Sequence, residues 1–288
     1  MWFPLALVVA VLTSVQDVLS KNLVKRTNVY VVTWAWWFFT LPVFYIVQIF
    51  WKMPVLGPVF WPTLCASTVL LTLAVIYYIK ALEATDLSLS VPMLSFTPLF
   101  MLFTSRVMLG EVPKPLGFVG ILFIVAGSYL LFVKDMHLGF LAPFKSLLRG
   151  KGPRYMLIVA VLFSISGNLD KVGVSNSSFV FWNLMLDTTS SVLLTFVMFK
   201  KCPQALGEIK KDLKGLVSLG FVNAVCLMVQ MSVITMTLVP YLISVKRTSV
   251  LFSALYGFFF LKEKGIKERV VGIVLMLLGV FLIGFLRN

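Results

Sequence analysis

The chain has 288 residues, is 60% hydrophobic and only 12% charged, and carries a net charge of +14. Its charged share is about half that of a soluble domain, which excludes an ordinary soluble globular protein. With no soluble basic domain to present a groove, the surplus of lysine and arginine belongs to membrane topology and not to nucleic-acid binding.

The hydrophobic residues form ten blocks at 2–19, 29–51, 59–79, 87–108, 115–133, 154–172, 178–199, 214–236, 239–261 and 267–286. Each is about as long as a bilayer-spanning helix needs to be. Unpaired backbone groups are costly in lipid, so each block predicts a helix, and no strand alternation competes. The expected fold class is therefore all-α, a polytopic membrane protein of ten transmembrane helices. The first block begins directly after Met1, without a basic n-region or small-residue cleavage site, and reads as a retained helix, not a removed signal.

In chain order, the first block holds Ser14, Gln16 and Asp17. The second opens with Trp34, Trp36 and Trp37, which suit either an interface anchor or a pocket wall. Tyr77 and Tyr78 lie in the third. Pro92 and Pro98 in the fourth remove backbone hydrogen bonds and predict kinks. Gly120 and Gly127 in the fifth, like Gly272 and Gly279 in the tenth, stand seven apart on one face. Such seams let helices approach closely, between parts of one chain or between protomers of a homodimer. The sixth block carries Ser164, Ser166, Asn168 and Asp170. Asn183 and Asp187 in the seventh are four apart and share a helix face. Asn223 and Gln230 follow in the eighth, and Lys246, Arg247 and Thr248 in the ninth.

Loops leaving odd-numbered blocks carry 18 Lys and Arg residues against 5 on the other side. The positive-inside rule puts those loops in the cytoplasm and both termini outside a cell (inner) membrane. The segment 134–153 is then a basic cytoplasmic linker. Its apolar face, from Leu138 to Leu148, suits a short interfacial helix, while Gly139 and Pro143 suit a flexible connection. Cys65, Cys202 and Cys226 are too scattered for a disulfide framework or a metal site, and the single histidine, His137, lies in that linker. No metal, cofactor or catalytic constellation is expected, and no Walker A motif is present, so the chain does not read as an enzyme.

The chain also repeats. Val11-Leu12-Thr13-Ser14 aligns with Val161-Leu162-Phe163-Ser164, and Lys21 with Lys171. Glu111 aligns with Glu263, and Val119-Gly120-Ile121 with Val271-Gly272-Ile273. Residues 1–133 and 154–288 read as two five-helix units. Five is odd, so the second enters the membrane from the opposite face, the plan of secondary transporters that rock around a midplane site. A duplicated channel is the other class this plan allows.

These features carry a resemblance. The paired units, Ala81-Leu82-Glu83-Ala84-Thr85 before the Pro-containing fourth block, Leu109-Gly110-Glu111 after it, and Leu261-Lys262-Glu263 after the ninth resemble the drug/metabolite transporter superfamily, specifically two EamA-like domains. The resemblance implies alternating-access transport of small metabolites or drugs, with amino-acid or amphipathic-drug export as one branch. It also implies cytoplasmic termini, against the charge count.

The ninth block carries the sharpest signal. Lys246 and Arg247 adjoin in a stretch that is otherwise apolar, where each cation costs roughly 2.5–3.5 kcal/mol at mid-bilayer. Their repeat equivalents are Leu94 and Ser95, so charge was acquired in one copy only. Ser244-Val245-Lys246-Arg247-Thr248 further resembles the ninth-helix Lys-Arg segment of plastid triose-phosphate translocators, which implies Lys246 and Arg247 as anion ligands. The competing reading is an internal ion pair with Asp187, with Asp17 and Asp170 pairing to Lys21 and Lys171 or reaching inward. Tyr77, Tyr78, Gln16, Ser166, Asn168, Asn183, Asn223, Gln230 and Thr248 complete the candidate substrate site; taken singly, each of these serves as readily in an interhelical hydrogen bond. Glu111 and Glu263 read as surface charges or solvated bridges. The expected function is secondary transport of a small organic anion, phosphorylated or not.

Overall fold

The computed structural model describes residues 2–84, 93–132, 150–252 and 266–285. Their helices are α1 (Trp2–Leu23), α2 (Val29–Phe38), α3 (Leu41–Ile49), α4 (Phe60–Ala84), α5 (Thr97–Leu109), α6 (Pro115–Phe132), α7 (Lys151–Ser175), α8 (Phe179–Lys201), α9 (Ala205–Lys211), α10 (Leu213–Val233), α11 (Val239–Lys246) and α12 (Ile266–Phe285). No strand occurs among the described residues. Six spans, with α2 and α3 counted as one, are long and apolar enough to cross a membrane, and shorter apolar helices accompany them. The protein is a polytopic membrane protein.

Three segments depart from the predicted blocks. The second block is two helices, because Pro42 has no N–H for the carbonyl of Phe38 and the chain turns at Phe39 and Thr40. The ninth block interrupts at Arg247 and Thr248, where the Thr248 N–H bonds the Val245 carbonyl three residues back. Such tightened turns inside a span often mark hinges. The loop after α8 holds a short helix, α9, that hydropathy alone does not reveal. Pro92, His137, Glu263 and the apolar face of the linker lie outside the described residues.

Lipid tails are as apolar as leucine, so burial alone does not press these helices together; close packing and hydrogen bonds do. The most extensive pairings are α6 with α12, α4 with α7, and α1 with α10. The larger contacts have counterparts when the two halves are exchanged. α1–α10 mirrors α7–α4, α1–α11 mirrors α7–α5, and α2–α10 mirrors α8–α4. α6–α12, α5–α11 and α2–α8 map onto themselves. The glycine seam joins the two halves within one chain. A Cβ on Gly127 would stand 2.6 Å from the Gly272 carbonyl oxygen, and one on Gly120 would stand 2.9 Å from that of Gly279.

Polar brackets tie the ends of the bundle. Arg26 pairs with Asp212 at 2.6 Å, and the Asn28 N–H donates to Glu208 of α9 at 3.1 Å. At another site, Gly110 ends α5 in the left-handed region, φ 68°, where a side chain would be strained. That turn delivers Glu111 to two partners: Lys171 Nζ at 2.5 Å and the Val239 N–H, at the start of α11, at 2.8 Å. Lys171 also donates to the Thr237 carbonyl at 2.7 Å. Glu111 is thus a part-buried clasp joining α5, α7 and α11, and not the ordinary surface charge that its loop position suggests.

Candidate functional site

A cavity of about 90 Å³ lies between the halves, several times the space one water needs. Gln16 of α1, Trp36 and Trp37 of α2, Leu71 and Val75 of α4 and Thr97 of α5 line it from the first half. α7, α8, α10 and α11 contribute from the second, through Ser166, Asp170, Asn183, Asn223, Gln230, Lys246 and Arg247 among others. Among the described residues, α6 and α12, committed to their glycine seam, supply none of its lining.

Lys246 and Arg247 are adjacent in sequence and so point about 100° apart. Lys246 Nζ donates to Gln230 Oε1 at 2.6 Å. Arg247, only 4% exposed, reaches across to the first half and donates Nη2–H to Thr97 Oγ1 at 3.2 Å. Its guanidinium carbon sits 5.9 Å from the centre of the Phe163 ring, within cation–π range. Its Nε has no hydrogen-bond partner. Among the described residues neither cation has a carboxylate within ion-pair distance.

Thr97 is shaped for its task by the next residue. Pro98 has no N–H to give the Leu94 carbonyl, and Thr97 Oγ1 donates there instead, at 2.6 Å. Its hydroxyl proton is thereby engaged, and its lone pair is left to accept from Arg247. Sequence reasoning missed Thr97; the Thr-Pro pair within a span was the available signal.

The carboxylates are arranged differently from the expectation. Asp187 is not the counter-ion of the basic pair. It is fully buried, accepts from Thr40 at 2.6 Å, and the charge that acts on it is Asp170. The charges that act on Arg247 and Lys246 include Asp17, and Lys246 also feels Asp170. Both of these aspartates reach inward and do not pair with the neighbouring lysines. Asp17 accepts from the Tyr78 hydroxyl. Asp170 Oδ1 accepts from Trp182 Nε1 at 3.1 Å and Ser67 at 3.5 Å. Lys21 donates to the Leu82 carbonyl and Lys171 takes the Glu111 clasp.

The predicted residues divide accordingly. Gln16, Ser166, Asn183, Asn223, Gln230, Lys246 and Arg247 meet at the cavity. Gln16 donates to Asn223 at 2.6 Å, and Asn223 to the Trp36 carbonyl at 3.1 Å, so the wall is cross-linked by polar bonds. Five others have different duties. Tyr78 holds Asp17. Tyr77 packs against Tyr155 and Lys80. Asn168 bonds Thr104, Ser105 and its own helix. Thr248 turns to the Val245 carbonyl, and Asp187 stands behind Asn183. Trp36 and Trp37 are cavity walls, while Trp34 donates to Thr195 at 2.9 Å.

Three cavity-lining residues have a buried polar atom without a partner: Trp37 Nε1, Arg247 Nε and Asn183 Oδ1. Each such atom costs about 1–3 kcal/mol in a buried setting. All three residues line one cavity, whose wall is therefore polar and not fully satisfied within the chain.

The same chain, compared with known proteins, matches the EamA-like transporter family model twice, over 1–133 and 150–285. No curated protein matches it. A protein known from its crystal structure shares the fold at a TM-score of 0.71, with 13% identity over 96% of this chain and 95% of the other.

Proposed function

We propose that this chain, which belongs to the EamA-like transporter family, is a secondary transporter that moves a small organic anion across the membrane by alternating access. Ten spans in an inverted five-plus-five plan, with residues 1–133 and 154–288 as the halves, form its frame. The exchange symmetry of the helix contacts supports that plan. The odd loops face the cytoplasm, in keeping with the charge bias.

The observation that carries the substrate reading is Arg247. It is a buried cation at the cavity wall, held by Thr97 from the opposite half, with an unpartnered Nε and, among the described residues, no carboxylate in ion-pair contact. A planar fork offers two parallel donors to a carboxylate or phosphate, and charge-assisted bonds of this kind are about twice as strong as neutral ones. Lys246, beside it, adds a point charge. Because Arg247 belongs to one half and Thr97 to the other, an anion that takes up the guanidinium competes with the tether between halves. That competition gives the substrate a direct hold on the conformational equilibrium.

The test is ligand-dependent thermal stabilisation of the purified protein, paired with flux into proteoliposomes. Organic phosphates or carboxylates are expected to raise the melting temperature of the wild type and to be carried saturably. Arg247→Ala is expected to abolish both while the protein stays monodisperse, and Arg247→Lys to restore binding only in part. Normal transport by both Arg247→Ala and Lys246→Ala would assign the pair a structural role.

A further inference from the structure

One face of α8 holds a buried carboxyl group that no cation meets. Ser190 and Ser191 follow Asp187 by three and four residues and share its face. All three are buried, and Asp187 Oδ1, Ser190 Oγ and Ser191 Oγ have no hydrogen-bond partner. Among the described residues no lysine or arginine lies within ion-pair distance of Asp187. A bare carboxylate in such surroundings is far costlier than a neutral acid.

The contacts of Thr40 count the protons. Its hydroxyl oxygen lies 2.5 Å from the Trp37 carbonyl oxygen and 2.6 Å from Asp187 Oδ2. A hydroxyl carries one hydrogen, and a carbonyl and a carboxylate are both acceptors only. With Asp187 ionised, Thr40 satisfies one contact and sets lone pairs together at the other. With Asp187 protonated, Oδ2–H donates to Thr40 and Thr40 donates to Trp37, so both contacts are hydrogen bonds. Oxygens this close also leave no room for a metal ion between them.

Thr40 stands at the break between α2 and α3, where Pro42 leaves the Phe38 carbonyl without its helical partner. A proton on Asp187 therefore decides whether Thr40 holds the end of α2 or turns to α8. The helices packed on α8 are α2, α3, α4, α7 and α10. From α7, the cavity-lining Asp170 acts on Asp187 by its charge. The other groups are engaged elsewhere. Tyr30 and Tyr77 lie against Lys80, Tyr155 against Tyr77, and Tyr45 against Thr188. Tyr78 holds Asp17, Cys226 faces Thr13 and Lys171 takes Glu111. The remaining charged and titratable side chains of these helices are exposed. Ionising Asp187 near Asp170 sets like charges together at low dielectric. The proton therefore stays while this arrangement lasts, and leaves in one that separates or hydrates the two carboxyl groups.

We infer that Asp187 is a proton-binding site, and that loading and unloading it couples a proton to the conformational change of the transporter. On unloading, the Oδ2–H bond breaks and its electron pair stays on the carboxylate. The proton passes to water, and the Thr40 hydrogen turns from the Trp37 carbonyl to Oδ2. Arg247 takes no part in these steps, so the proton site stands or falls separately from the anion reading.

Infrared spectra of the full-length protein in nanodiscs at neutral pH read the proton directly, because a carboxylic acid has a C=O stretch that a carboxylate lacks. The wild type is expected to show an acid band that Asp187→Asn removes and Thr40→Val moves; Thr40→Val serves alone if Asp187→Asn does not fold. Coupling is read by labelling Thr237→Cys, in a Cys65→Ser background, with a charged thiol reagent. Dividing each rate by that of the same protein carrying Asp187→Asn cancels the pH dependence of the thiol and of the Glu111 clasp. The ratio is expected to rise with pH, by up to about tenfold per unit for a single proton, as ionisation of Asp187 depopulates the arrangement in which the clasp is closed. No acid band at neutral pH, a band that neither variant alters, or a ratio flat in pH would overturn the proposal. A ratio that follows sodium concentration instead of pH would also overturn it, in favour of a metal-ion site.

Discussion

Removing the Glu111 carboxylate tests what holds α5, α7 and α11 together at one end of the bundle. Its carboxylate joins Lys171 of α7 to the first N–H of α11, and Lys171 in turn holds the Thr237 carbonyl. The side chains of Lys171 and Glu111 are 19% and 10% exposed. The pair therefore falls between exposed bridges, worth about 0–1 kcal/mol, and fully buried ones, whose disruption costs about 3–5 kcal/mol. Glu111→Gln keeps the shape and removes the charge, so a cost of about 2 kcal/mol is a fair intermediate, equivalent to roughly a 30-fold shift in a two-state population. Thr237 is buried under the clasp, and Thr237→Cys makes it a reporter of opening. In a Cys65→Ser background, which removes the exposed native thiol, a charged thiol reagent should label that cysteine slowly. Adding Glu111→Gln is expected to raise the labelling rate by about 10- to 30-fold, since slow labelling tracks the open population. An unchanged rate in a folded, monodisperse protein would refute the clasp as a determinant of that face's closure.

The other expectations are more local. Thr97→Val should weaken anion binding by removing the acceptor for Arg247, and Thr97→Ser should recover it, as read from the dissociation constant for the best ligand of the thermal screen. If Thr97→Val binds normally, Thr97 does not position the guanidinium. Gly127→Ala should destabilise the α6–α12 seam by about 1–3 kcal/mol, because the new methyl meets the Gly272 backbone. Gly207→Ala on α9, where nothing lies within 4 Å of the added atom, should instead gain roughly 0.5–1 kcal/mol of helix propensity. Melting temperatures compare the two, and equal shifts would contradict the packing argument. A reporter fused after Asn288 should read as extracytoplasmic, from the charge bias of the loops; a cytoplasmic signal would show that bias to be overridden.

Hydropathy and length alone determined most of the spans, because a bilayer imposes one dimension and one backbone solution on any segment that crosses it. The spacing of Gly120, Gly127, Gly272 and Gly279 likewise announced a seam, since only small residues permit backbone approach. Sequence could not say whether that seam lay within the chain or between protomers; the pairing of α6 with α12 decided it. The isolation of Lys246 and Arg247 was legible as a cost that function must explain. Their surroundings were not. Asp187 looked like the natural counter-ion by depth, yet Thr40 holds it, and Asp17 and Asp170 supply the opposing charge instead. Glu111 looked like loop decoration until the left-handed turn at Gly110 placed it against Lys171. Thr97 gained its role only when Arg247 from the other half met it. Depth in the membrane can be read along a single segment, but lateral neighbours depend on how the faces of separate helices are turned toward one another. Rotation and contact across the bundle arise from packing between segments far apart in sequence, and the tertiary structure alone decided which polar groups share the cavity.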